Sequence, residues 1–145
     1  MGLPGALTSF RGAAEYAQRG ITMKIATEYA RLRRLGWKAI EAFDAAKVRA
    51  AFLDAGDCVE LEVVPDLDAD LSFLNQDCFA DCAENERDRA NREGCWGVVA
   101  KAYGETVDSV WGFIGDDWKD SGYDVDLMRA ALRAVEPTPA TWMAI

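Results

Sequence analysis

With no histidine among the 145 residues, the side chains here that could hold a metal or serve most readily in acid-base chemistry are carboxylates and thiols. That removes the commonest general base and the commonest metal ligand at once. Asp66, Asp68, Asp70 and Asp77 stand at the offsets of positions one, three, five and twelve of a calcium loop, but position six is Leu71 instead of the turn glycine and position twelve is not the bidentate glutamate. These residues are expected to form a solvated acidic connection. Asp116 and Asp117 are adjacent carboxylates that could hold a divalent cation or share a proton. They lie where a loop leads into a helix, a place where acids favour the turn and the helix N-terminus. Cys78 and Cys82 are four residues apart on a predicted helix, and Cys58 and Cys95 fall near strand ends. This pattern lacks the paired knuckles of structural zinc, and no histidine can activate a thiolate nucleophile. The expectation is four buried thiols, no metal, no cofactor and no enzymatic activity. The alternative is a small metal-binding module or metal-dependent enzyme built on the aspartates of 66–77 or 116–126.

Charge says more than chemistry. The net charge is −9, yet residues 1–50 carry nine Lys/Arg against four Asp/Glu while residues 51–145 carry seven against twenty-one. Such asymmetry bears on partners more than on fold. The stretches 54–70 and 105–126 hold seven acids each, with Lys119 their single base. An acidic surface is expected there, with Asp66, Asp68, Asp70, Asp116, Asp117, Asp120 and Trp118 as contacts for a basic protein partner. Direct nucleic-acid binding is not expected, because so negative a region repels phosphate. The basic cluster Arg31, Arg33, Arg34 and Lys38 is small and suits the C-terminal end of a helix dipole.

The elements that must position these residues follow from periodicity. Ile21, Ile25, Tyr29 and Leu32 recur at helical spacing, with Gly36 placed to end the helix. A second helix is predicted over Trp37–Ala55, with Ile40, Phe43, Val48, Ala51 and Phe52 inward, antiparallel to the first. Cys58–Val64 alternates apolar and acidic residues as a half-buried strand does, and Pro65 stops it. A helix over Asn75–Arg92 would align Leu74, Cys78 and Cys82, its charged second half solvated. Residues 94–118 read as a β-hairpin turning at Gly104–Glu105 in a type II′ turn. That register sets Lys101 opposite Asp108, Val98 opposite Trp111, Trp96 opposite Phe113 and Gly97 opposite Gly112, the bare glycines inviting a packed helix. A last helix, capped by Ser121 or Asp124, would place Val125, Met128, Leu132 and Val135 on one face.

The expected class is therefore α+β, a small antiparallel sheet of about three strands, one strand plus a β-hairpin, packed with about four helices. The chain divides into a loosely held extension over 1–20, one domain over 21–136 and a tail over 137–145. No apolar run approaches the length of a membrane span, and the first twenty residues lack the apolar core of a secretory signal, so a cytoplasmic location is expected.

The runs WGVVAKAY and VDSVWGFIGDDWKDSGYDVDLM, at 96–103 and 107–128, resemble the C-terminal half of small uncharacterised proteins of bacteriophages and other bacterial mobile elements. The resemblance implies an accessory protein that binds host or defence machinery. Together with the charge map it sets the expectation: a non-enzymatic acidic protein that binds a basic host or defence-system protein, including by mimicry of nucleic-acid charge. A third reading makes the partner a second copy of the chain.

Overall fold

The computed structural model describes residues 22–135. The predicted extension over 1–20 and tail over 137–145 lie outside the described residues. Where the sequence predicts one domain over 21–136, contacts group the chain into two compact units that meet at Asp54 and Ala55.

The first unit is a helical hairpin. Helix α1 covers 22–34, and Gly36, at φ +96°, ends it as predicted. The Gly36 N–H donates to the Arg33 carbonyl at 3.1 Å and the Trp37 N–H to the Leu32 carbonyl at 3.0 Å, the paired bonds of a left-handed glycine cap. Helix α2 covers Ala39–Asp54 and runs back along α1, with Tyr29 edge-on to Phe43 at 6.4 Å and Arg49 3.5 Å from Glu28. Its buried face differs from the prediction. Ala42, Ala45, Ala46, Val48 and Ala50 are buried, Phe52 is half-buried, and Ile40, Phe43 and Ala51 are exposed. Alanines also recur at helical spacing, and their short side chains let backbones approach where bulky residues would hold them apart.

The second unit is the α+β core. Strand β1 (Val59–Pro65), β2 (Cys95–Ala102) and β3 (Glu105–Ile114) form an antiparallel sheet in the order β1-β2-β3. The predicted class holds, with β1 on the β2 edge of the hairpin. Helix α4 (Tyr123–Val135) packs against all three strands. Val98, Ala100 and Ala102 alternate along β2 and are buried, as are Val125, Leu127 and Ala131 of α4. The predicted stripe is therefore rotated: Val125 is inside, and Met128, Leu132 and Val135 are half-buried. Helix α3 covers only Ala83–Glu93. Residues 75–82, predicted as its first turns, are not α-helical: a 3₁₀ turn at Ser72–Asn75 ends where the predicted helix starts, and a second at Asp77–Phe79 follows extended Gln76 at ψ 149°. Asn, Asp, Cys and Phe are all mediocre helix formers, and edge-on packing of Phe73 on Phe79 at 5.5 Å takes the place of helical continuity.

The hairpin register is the main correction. The turn is Tyr103–Gly104, both with positive φ (+53° and +79°), which is the two-residue turn whose twist matches the strands. Ala102 then pairs with Glu105 and Lys101 with Thr106, not with Asp108. Two irregularities in β3, one between the Ala100 and Lys101 pairs and one between the Trp96 and Val98 pairs, each add one residue. The ladder thus arrives at the predicted Trp96–Phe113 pair from a different start. Val98 faces Val110, and Gly97 is matched by Trp111 and Gly112 together. No helix fills the space over Gly97: a Cβ there would lie 2.5 Å from Cδ2 of the Trp111 indole, which occupies it. Lys101 ion-pairs with Glu62 of β1. No helix among the described residues is long and apolar enough to cross a membrane.

Candidate functional site

Antiparallel order brings the end of β1, the start of β2 and the end of β3 to one end of the sheet. The Asp66 N–H donates to the Cys95 carbonyl at 2.9 Å, and the Gly115 N–H to the Gly94 carbonyl at 2.9 Å. The loops 66–71 and 115–122 therefore leave the sheet two strand spacings apart, about 10 Å. Six of the seven residues expected to contact a partner are acids in these loops: Asp66, Asp68, Asp70, Asp116, Asp117 and Asp120, with Trp118 in the second loop. The rest of the expected acidic surface is elsewhere. Glu60, Glu62 and Asp108 run along the strands, Glu105 sits at the turn end beside Ala102, and Asp124 is buried at 2% exposure.

Much of the charge in the second loop is used internally. The Asp117 carboxylate accepts from both Arg89 terminal nitrogens, at 2.8 and 2.5 Å, while Arg89 also donates to Glu86. Asp117 first, then Glu86, holds the guanidinium above its already high ordinary value. The Lys119 ammonium sits 5.7 Å from the Trp118 ring centroid, so this half-buried indole already has a cation. Asp124 anchors the loop from beneath. Its carboxylate accepts backbone N–H bonds from Asp120 (3.1 Å), Gly122 (3.2 Å) and Val125 (3.0 Å), and Asp120 is held at φ +58°. Ser121 accepts from the Tyr123 N–H at 3.2 Å. Ser121 and Asp124 thus both serve the start of α4.

The first loop is looser. Asp70 accepts from the Ser72 N–H at 2.9 Å, which lowers its pKa below the ordinary carboxylate range. Asp68 and Leu67 are exposed. The calcium-like spacing does not become a loop that folds around a centre, since Asp77 belongs to a separate 3₁₀ turn. The cysteines are free and none is buried: Cys78 is exposed, and Cys58, Cys82 and Cys95 are half-buried. Burial, then the neighbouring Asp66, raises the Cys95 thiol pKa. Cys58 lies by Tyr103 and Cys95 at the far end of β2, roughly 26 Å apart along the strand, so these two cannot share a metal. Among the described residues no three Cys, Asp or Glu side chains converge as a cation site would require.

Sequence patterning passed over two residues that organise this end of the molecule. Arg89 hides in a charged run, and its one local signal is Glu86 three residues before it. Trp111, set opposite Val98 in the predicted register, lies over Gly97 and is 51% exposed. Compared with known proteins, the chain matches no family model, no curated protein and no solved structure.

Proposed function

We propose that this chain is a non-enzymatic binding protein of a bacteriophage or other mobile element, acting in the host cytoplasm, and that the loops 66–71 and 115–122 dock on a basic host or defence-system protein. The observation that carries this is the shared location of two acidic loops at one sheet end. Asp66, Asp68, Asp70, Asp116, Asp117 and Asp120 face only Lys119 within those loops, with Arg89 reaching in from α3. Like charges held near one another in water raise the encounter rate with a cationic surface and reject an anionic one. A basic nucleic-acid-binding protein is the partner type that such a surface suits best.

The test is association with a defined cationic protein while salt is varied. Binding that weakens steeply as the screening length falls to about 8 Å, and that is lost when Asp116, Asp117 and Asp120 are all replaced by Lys, supports the proposal. A triple variant that keeps its fold, its binding and its salt dependence sinks it and leaves acidity as a solubility property.

A further inference from the structure

Three tryptophans of the second unit are used in three ways. The Trp96 N–H donates to the Glu93 carbonyl at 2.9 Å and the ring is half-buried. Trp118 carries Lys119 over its ring. Among the described residues no cation sits over the Trp111 ring, and Trp111 is 51% exposed. Its six-membered ring lies over Gly97, in the space any side chain at 97 would need, and its N–H donates to Ser109 Oγ at 3.0 Å. The ring is thus seated below and tethered at its edge. With the only polar atom already bonded, the free part of the residue is the outer π face.

A rigid aromatic surface loses little conformational freedom when a ligand stacks on it, and tryptophan is the best side chain for attracting a cation to its face. The electrostatic setting favours the same ligand. On the sheet face that carries Gly97, β1 presents Glu60 and Glu62 beside the base Lys101, and Lys101 is ion-paired with Glu62. An anionic ligand such as a nucleobase on its phosphate chain would meet repulsion there.

We propose that the outer face of Trp111 is a binding site for a cationic side chain, arginine foremost, of a basic protein partner, with Gly97 and Ser109 acting as positioning residues for the ring. This rests on the reading of the chain as a binder of basic proteins and adds an anchor, outside the acidic loops, where stacking supplies specificity that diffuse charge does not.

The experiment titrates the ¹⁵N-labelled full chain with a short capped peptide alternating glycine and arginine. The control peptide has citrulline, the neutral isostere, in place of arginine. The Trp111 indole signal is identified by its loss in Trp111→Phe. The expected result is a saturable shift of that signal with the arginine peptide, little with citrulline, and about tenfold weaker binding by Trp111→Leu. Equal response to citrulline overturns the proposal, as does preferential movement of the ring by an oligothymidine. Because Trp111→Leu can unseat β3, the titration of the unaltered chain decides independently. If the arginine peptide moves the 115–122 amides and leaves the Trp111 indole still, this inference fails and the acidic-loop reading survives. If the indole moves while those amides stay unchanged, the reverse holds, and absence of binding at low salt defeats both.

Discussion

The acidic end of the sheet and the Trp111 face of the hairpin differ in how completely each satisfies its own chemistry. At the acidic end, groups that look available in sequence are taken up: Asp117 by Arg89, Trp118 by Lys119, Asp124 by three backbone N–H groups. On the hairpin the opposite occurs. A strand tryptophan is held in place on its underside and edge and is about half exposed. Charge density alone therefore overstates what a loop offers a partner, whereas an immobilised exposed aromatic offers more than its residue type suggests. The effective acidic surface narrows to Asp66, Asp68, Asp70 and Asp116, with Asp117 and Asp120 partly committed to the fold.

That comparison can be broken most forcefully at Asp124. Replacing it by Ala strips a buried acceptor from three backbone donors and is expected to cost about 2–4 kcal/mol. Asp116→Ala, on an exposed turn, is expected to change stability by less than about 0.5 kcal/mol. Thermal or urea unfolding of the two variants checks this, and Asp124→Asn, which keeps one carbonyl acceptor, should fall between them. Equal midpoints for Asp124→Ala and Asp116→Ala would mean that the loop is not clamped from beneath.

On the hairpin side, Gly97→Val forces a side chain into the space the Trp111 ring fills and is expected to cost about 1–3 kcal/mol. Combining it with Trp111→Ala should cost less than the two changes summed, because the first clash disappears with the ring. Gly112 serves a different purpose. Its φ of +87° and the open space around it make Gly112→Ala a backbone penalty of roughly 1–2 kcal/mol, with Gly112→Asn milder. Full additivity of the Gly97 and Trp111 changes would show that the ring does not sit over the glycine.

A smaller effect sharpens the electrostatic half. Arg89→Ala removes an ion pair whose partners are partly exposed, so its stability cost is about 0.5–1 kcal/mol. The same change frees Asp117 and deletes a positive charge from the acidic end. Association with a cationic protein at low salt should therefore speed up, measured by stopped flow, even as the fold weakens slightly. A slower association would indicate that Arg89 itself contacts the partner.

The C-terminal ends of α1 and α3, the α+β class and the three antiparallel strands were legible because period-3.6 and period-2 patterns and the glycines at 36 and 94 are local signals. The hairpin register was not, and the cause is specific. Tyrosine rarely accepts positive φ, so Tyr103 at the first turn position argues for Gly104–Glu105 instead, and the register that follows pairs Lys101 neatly with Asp108. Two inserted residues in β3 undo that agreement, and nothing in alternation counts a bulge before the ladder is seen. The fate of Trp111 depends on it: one residue of slip carries the ring from the face of Val98 to the face of Gly97. The acids of the candidate site were each legible, but their division between the two ends of the sheet depends on β1 pairing with β2, a long-range choice that local patterning leaves open.

The last expected effect is pH dependence, which separates the two regions by sign. Lys101, on the sheet, has its pKa raised chiefly by the hydrogen bond to Glu62 and then by that carboxylate's charge, with Glu60 adding to it. A group whose folded value lies above its unfolded value stabilises the fold at lower pH and loses that contribution as pH rises through the folded value. Asp70, in the acidic loop, is shifted the other way by the Ser72 N–H and then the Ser72 hydroxyl. Its contribution is present above the ordinary carboxylate value and is lost as pH falls through the lower folded one. Both groups are at the surface, so each slope is shallow and screened by salt. Midpoints of unfolding followed from about pH 2 to pH 12, spanning the ordinary aspartate and lysine values, should therefore respond separately. Lys101→Met flattens the alkaline limb and leaves the acid limb alone, and Asp70→Asn does the converse. If Lys101→Met altered only the acid limb, the sheet ion pair would not be the source of the alkaline slope, and Lys101 would be freer to face a partner than its contact with Glu62 implies.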